Sequence, residues 1–181
     1  SPSEQIDKLE KLINKKVVAI GECGLDFGDD YDQKKQMEVF RYQIELSQKY
    51  KLPLIIHARK AVDETVEVLK SYKNLSGVFH CYAGGNKRIK KIMELEGEWY
   101  FGIDGNLTYE VGLVEVVKNI PKNRLVLETD CPYLTPVPFR GEINKPAYVE
   151  YIYKKVGEIW QMNFEATEKI IDDNAKRLFG I

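Results

Sequence analysis

The sequence contains two histidines, His57 and His80, and each closes a short apolar run, LII before the first and GVF before the second. Two acids stand in comparable places: Glu22 directly after VVAIG, and Asp130 just past RLVLE. Imidazole nitrogen and carboxylate oxygen suit Zn, Mn, Fe or Co, and a carboxylate has two oxygens with which to bridge a pair of ions. Glu22 is the best bridging candidate. Each residue alone has an ordinary reading, a satisfied core histidine or a capping acid. Together they point to one converging site, because the functional side chains of a parallel α/β barrel come from the C-terminal ends of different strands.

Convergence requires those runs to be parallel strands held at a common level. VVAIG at 17–21, LIIH at 54–57, GVFHC at 77–81, WYFGI at 99–103 and RLVLE at 124–128 read as brief strands. Between them apolar residues recur at helical spacing, as in Met37, Phe40 and Ile44, or Val62, Val66 and Leu69. Ile89, Ile92 and Met93 mark another helix, Val111, Val114 and Val117 the next, and two more follow a proline-rich loop. The chain opens on Ser1-Pro2-Ser3-Glu4, a capping box followed by Ile6, Leu9 and Ile13. Continuous apolar strands joined by helices indicate a parallel sheet buried on both faces. An open doubly wound sheet would want a glycine-rich phosphate loop after the first strand, whereas GECGLDFGDD places an acid there.

A complete (β/α)8 barrel takes about 250 residues, or about 30 per unit. The 181 residues are therefore expected to form a single domain over 1–181, an α/β partial TIM barrel of about five strands that lacks the first three. Its outer strands would have unpaired edges, so by itself the chain is expected to associate or to be completed by another chain.

Lys and Arg number 27 against 28 Asp and Glu, a net charge of -1. This excludes a general polycation that coats nucleic acid, so any DNA contact must be local. No apolar run approaches the roughly 18 residues of a membrane span, and the polar start does not resemble a secretory leader, so no membrane partner is expected. Three cysteines, an odd number, suit a reducing cytoplasm better than a disulfide framework. Cys23 and Cys81 follow Glu22 and His80 directly, so on a strand they should face the helices as small packing residues. Cys131 lies beyond the strand.

Several segments are also longer motifs. GECGLDF resembles the GExGLD(Y/F) of the TatD deoxyribonuclease family, PLIIHAR its PxxxHxR and FHCYAGG its HC(F/Y)xG. LETDCPYLTPVPFRGEINKPAYV is similar to that family's ETDxPYLxPxPxRGxxNxPxxV, and DDNAKRLFGI to its final N-A-x-R-L-F helix. The likeness runs in order from about Val17 to the end. It implies a (β/α)8 barrel that hydrolyses DNA phosphodiester bonds with divalent metal ions (Zn, Mn or Mg), commonly by removing nucleotides from a 3′ end.

By motif, Glu22 would bridge two ions, His57 and His80 would complete one metal position, and Asp130 would bind the other ion and orient or deprotonate the attacking water. Glu22 and Asp130 are thus the implied catalytic pair. The second ion normally also takes an H-x-H pair, and no H-x-H occurs in the sequence. Two ions are therefore expected only in a molecule that supplies that pair, and one in the 181 residues alone. Related metallohydrolases often bridge their ions with a carbamylated lysine where this chain has Glu22, which favours a phosphodiesterase over ring-opening amidohydrolases. The alternatives are amidohydrolase chemistry or aminoacyl-ester hydrolysis on the same barrel, or a noncatalytic fragment that needs a partner chain.

Arg59, two residues after His57, can fork onto a phosphate or pair with Asp26. Arg140 and Asn144, in the RGEIN element, are expected to hold substrate or to brace their loop, with substrate favoured. Glu128 reads as a buried carboxylate paired with a cation such as Arg140. Tyr82, Tyr109 and Tyr133 lie in loops at the expected mouth, where rings can stack on unpaired bases, and Gly84 with Gly85 marks a tight turn.

Overall fold

The structure, a computed structural model, describes residues 8–181. The opening capping box and Ile6 lie outside the described residues; residues 8–12 are helical, and Ile13 packs against the core. Five strands follow: β1 (Ile20–Asp26), β2 (Leu54–Arg59), β3 (Ser76–Phe79), β4 (Glu98–Ile103) and β5 (Leu125–Leu127). Between and after them come α1 (Gln33–Tyr50), α2 (Val62–Leu69), α3 (Asn86–Met93), α4 (Val111–Asn119), α5 (Val149–Trp160) and α6 (Phe164–Phe179).

Every neighbouring pair of strands is parallel, and the spatial order is the chain order, β1-β2-β3-β4-β5. A doubly wound sheet reverses its order at a switch point. This one never reverses, so it is an arc of a barrel. Among the described residues, β1 and β5 are its outer strands.

The two faces of the arc carry different cores. Toward the helices lies the large cluster, in which Leu25, Leu54, Ile56, Phe79 and Phe101 meet Phe40, Ile44, Val66, Ile92, Val117 and Val156. On the other face, register lines up Ile55 with Val78 and Val78 with Tyr100, and Val126 pairs with Gly102 in the next layer. Val78, Tyr100 and Val126 pack there with Leu178, while Ala175 and Phe179 press on from the end of α6. The last helix therefore seats against the interior of the arc.

Among the described residues the expected helices and strands form, with shifted bounds. The largest shift is in β1, which starts three residues after Val17 and runs on to Asp26, because GLD continues the pairing with HAR of β2. In α4 the packing face is Leu113, Val116 and Val117, whereas Val111 at the first turn is exposed. Among the described residues no helix is long and apolar enough to cross a membrane.

The asparagine of the C-terminal N-A-x-R-L-F motif ties α6 to the sheet. Asn174 is buried, and its Nδ2 donates to the carbonyls of Lys122 and Leu125, each at 2.8 Å. Asn174→Ala strands both carbonyls, each a desolvated acceptor worth about 1–3 kcal/mol. Urea unfolding is expected to show a loss of about 2–4 kcal/mol; an unchanged midpoint would mean that α6 is held by its apolar face alone.

Candidate active site

The inner-face residues that follow the apolar layer carry the chemistry. His57 is two residues beyond Ile55 on β2, and His80 two beyond Val78, just past the last residue of β3, with its backbone N–H donated to the Ile56 carbonyl at 3.0 Å. Glu22 gets there differently. Ile20 pairs with Leu54 but Cys23 with Ile56, so β1 spends three steps where β2 spends two. Such a bulge re-aims a side chain, and Glu22 lies within the strand rather than past its end.

Three acceptor atoms then face one point. His57 Nδ1 lies 3.0 Å from His80 Nε2, His80 Nε2 lies 3.2 Å from Glu22 Oε2, and His57 Nδ1 lies 4.0 Å from the same oxygen. Ligands at about 2.0–2.2 Å from one ion stand roughly 3–4 Å from each other, so the spacing fits a single divalent cation.

The outer ring nitrogens make the argument sharper. His57 Nε2 is 3.2 Å from Asp26 Oδ2, and His80 Nδ1 is 3.5 Å from Glu128 Oε2. Carboxylates accept only, so these partners assign the N–H to the outer nitrogen of each ring. With the outer nitrogens so engaged, the inner ones face each other and a carboxylate oxygen, an arrangement that needs a positive charge between them. A shared proton or a metal ion resolves this, and a carboxylate behind each ligating histidine is the usual support of a metal site.

Asp26 is itself well fixed. Gly28 N–H donates to its Oδ1 at 2.7 Å, and Gln36 holds its backbone from both sides, accepting from its N–H at 2.6 Å and donating to its carbonyl at 2.9 Å. Burial opposes ionisation of Asp26, but the Gly28 amide, His57 and Arg59 together hold its carboxyl below the usual range. His80 is pushed the other way: burial disfavours its charged form, yet the Glu128 contact and the charges of Glu128, Glu22 and Asp130 raise its pKa.

Asp130 lies in the same field. Burial raises its carboxyl pKa, Glu128 and Glu22 add to the rise, and the two histidines oppose it. Its backbone is left-handed, at φ 50°, a conformation that costs energy and recurs at functional positions.

Glu128 is not paired with Arg140. Its Oε1 accepts from the Cys81 N–H at 2.7 Å and its Oε2 faces His80. Gly102 leaves room for it: a Cβ there would lie 2.3 Å from Glu128 Oε1. Cys23 sits in the sheet–helix core as expected, but Cys81 does not face the helices. At φ 43° it is already past β3, so strand alternation no longer applies, and its sulfur is turned toward Asp104 and Glu128. His80, Cys81 and Glu128 also lie within ligating distance of one another. That set would need the outer nitrogen of His80, and burial raises the Cys81 thiol pKa, so Glu128 is better placed to orient His80.

The sequence reading missed Asp104. It follows the last residue of β4, is 3% exposed, and accepts from Asn106 N–H at 2.7 Å. Burial pushes its pKa up to about 6, with Glu128 and Asp130 adding to the rise against the Asn106 bond. The signal was present: the rule that found His80 and Asp130 also applies to the residue after WYFGI.

The outer residues divide. Arg59 takes the pairing option, 2.9 Å from Asp29 and 3.6 Å from Asp26, while its half-exposed guanidinium borders the cavity next to the histidines. Arg140 lies 4.0 Å over the Tyr109 ring. Asn144 takes the bracing role: at 4% exposure its Nδ2 donates to the carbonyls of Thr129 at 2.8 Å and Tyr133 at 2.5 Å, and its Oδ1 accepts from Lys145 N–H. Its amide is used up inside the loop. The Ala83-Gly84-Gly85 turn is held by Arg88, which donates to the Gly84 carbonyl and forks onto Asp63.

Parallel barrel strands that bring two histidines and a carboxylate to one point form the donor set of a metallohydrolase of this fold. The model of the family described as TatD related DNase matches residues 1–180. An uncharacterized metal-dependent hydrolase, YabD of Bacillus subtilis, is 43% identical over 177 residues, covering 95% of this chain and 69% of that protein. The 3'-5' ssDNA/RNA exonuclease TatD of Pantoea ananatis is 34% identical over 184 residues, covering 96% and 70%. The crystal structure of YJJV, a TatD homolog from Escherichia coli, superposes with a TM-score of 0.87 at 28% identity, covering 98% of this chain and 70% of that one. The chain belongs to the TatD related DNase family.

Two outcomes follow from the geometry. Asp26→Asn keeps the shape but weakens the support of His57, and is expected to lower Zn affinity about 10- to 100-fold by titration calorimetry. Unchanged affinity would exclude Asp26 as the support of His57. Asp104 is protonated more readily folded than unfolded, so its ionisation destabilises the fold above about pH 6 and the loss is relieved as pH falls toward 4. Asp104→Asn is therefore expected to raise metal-free stability at pH 8 by roughly 1–3 kcal/mol, with the gain vanishing near pH 4. A gain independent of pH would assign it to packing.

Proposed function

We propose that the site hydrolyses DNA phosphodiester bonds with divalent metal ions, working from the 3′ end of a strand in the cytoplasm. The observation that carries this reading is the convergence of Glu22 Oε2, His57 Nδ1 and His80 Nε2 within 4.0 Å of one another, beside Asp130. Glu22, His57, His80 and Asp130 are the proposed ligands. Bound there, a divalent ion supplies Lewis acidity toward a phosphoryl oxygen and lowers the pKa of water.

The chain's own side chains do the rest. Asp130 is placed to orient the attacking water and to take its proton. Next to the histidines opens a cavity of about 710 Å³ bordered by Arg59, Lys60, Tyr82, Arg88 and Asn106. Arg59 and Arg88 are already ordered by Asp29 and Asp63, so their remaining donors meet a phosphate with little further loss of freedom. A carboxylate at the bridging position supports phosphodiester hydrolysis over amidohydrolase chemistry, and the name of the Pantoea ananatis relative supports a nucleic acid substrate. Three free thiols suit a reducing compartment.

Asp130 without an H-x-H pair has little to share beyond an oxygen of Glu22. The 181-residue chain is therefore expected to bind one transition metal ion by elemental analysis and to cut a 3′-end-labelled oligonucleotide negligibly. Joined to a strand bearing H-x-H, the same residues are expected to cut it, and Asp130→Asn to abolish cleavage without lowering the metal-free Tm. Robust cleavage by the 181 residues with two tightly bound ions, or near wild-type turnover by the Asp130→Asn protein, would overturn this assignment.

A further inference from the structure

The three loop tyrosines expected at the mouth separate in the structure. Tyr82 is 3% exposed, edge-on to Phe101 at 4.9 Å, with its hydroxyl donated to the Gly85 carbonyl. Tyr109 donates its hydroxyl to Asn106 and is covered by the Arg140 guanidinium. Tyr133 keeps an open ring, 70% exposed.

Its backbone, by contrast, is held at both ends. Tyr133 N–H donates to the Asp130 carbonyl at 3.0 Å, and its own carbonyl accepts from Asn144 Nδ2 at 2.5 Å. That buried amide also holds the Thr129 carbonyl, so Asn144 clamps the chain on both sides of Asp130. The surrounding loop closes on itself through Thr135 Oγ1 to the Glu142 carbonyl, Asn144 N–H to the Pro132 carbonyl and Val137 N–H to Thr108 Oγ1. A large ring is thus presented to water from a fixed backbone, three residues from a proposed ligand.

We propose that Tyr133 is the stacking platform for the unpaired base of the terminal nucleotide, placed to hold it while its phosphodiester lies at the metal site. This rests on the phosphodiesterase reading above. Every base has a π-face, so the contact tolerates any sequence, but it requires a base that is not already stacked in a duplex. Tyr133 is therefore a specificity residue for single-stranded or frayed ends. Because its backbone is already ordered, little freedom is lost on binding.

The test uses a short single strand ending in 2-aminopurine, whose fluorescence falls on stacking, joined through a phosphorothioate to resist cleavage, with Mn supplied. Wild type is expected to bind by anisotropy and to quench the terminal base. Tyr133→Ala should bind about 5- to 100-fold more weakly, with the quench lost, while Tyr133→Phe and Tyr133→Trp keep both. A blunt duplex ending in the same base should show no quench. Equal binding and quenching by the Tyr133→Ala protein would overturn the platform alone, leaving the nuclease reading standing. No binding of any strand by wild type would overturn both.

Discussion

Two ring nitrogens and a carboxylate oxygen meet in the mouth of this barrel arc, and the site's architecture serves to keep them there. Left to themselves, two imidazoles and a carboxylate would rotate apart or exchange donors. Asp26 and Glu128 prevent this by taking the outer N–H of each ring. Each carboxylate is fixed in turn, Asp26 by Gly28 and Gln36, and Glu128 by the Cys81 amide in space that Gly102 leaves open. The chain of support ends in backbone and sheet register rather than in mobile side chains. That is how a metal site reaches its geometry before the ion arrives.

The same support explains how much of the site could be read from sequence. Two periods suffice for the elements, and the strand-end rule suffices for His57, His80 and Asp130, because a parallel barrel puts its functional residues there. Glu22 comes beside the two histidines, but not by standing at a strand end. Its strand continues past it, and a bulge turns it inward; the two glycines of GECGLD, Gly21 and Gly24, were the available signal of that bulge. Cys81 escaped the alternation rule because β3 has already ended when it is reached. Glu128 and Asn144 were ambiguous in kind, since a carboxylate or an amide is defined by its partners, and those partners, Cys81 and Tyr133, depend on how loops close. Asp104 was legible and overlooked.

Concentrating acids at one end of a nearly neutral chain has an energetic consequence. Burial raises the proton affinity of Asp104 and Asp130, and the charge of Glu128 adds to the rise at both. Stability is lowered locally so that a cation is wanted there, a common relation between function and fold. Hydrophobic packing elsewhere offsets it: the apolar layer beneath the site, from Ile55 across to Val126, is sealed by the end of α6.

On the proposed reading, this charge arrangement also sets an order of events. A phosphodiester carries a negative charge, and an approaching strand would meet Glu22, Glu128 and Asp130 before any cation deep in the mouth. Arg59 and Arg88 lie to the side and are partly neutralised by Asp26, Asp29 and Asp63, so they cannot reverse the sign of the field at the histidines. The phosphate becomes welcome only after the acids have been matched by metal charge. Contacts that ignore charge, such as a base on the face of Tyr133, can form regardless of that state. The mouth therefore separates its two tasks: an uncharged platform that holds the end of a strand, and an acidic floor that admits its phosphate only when loaded.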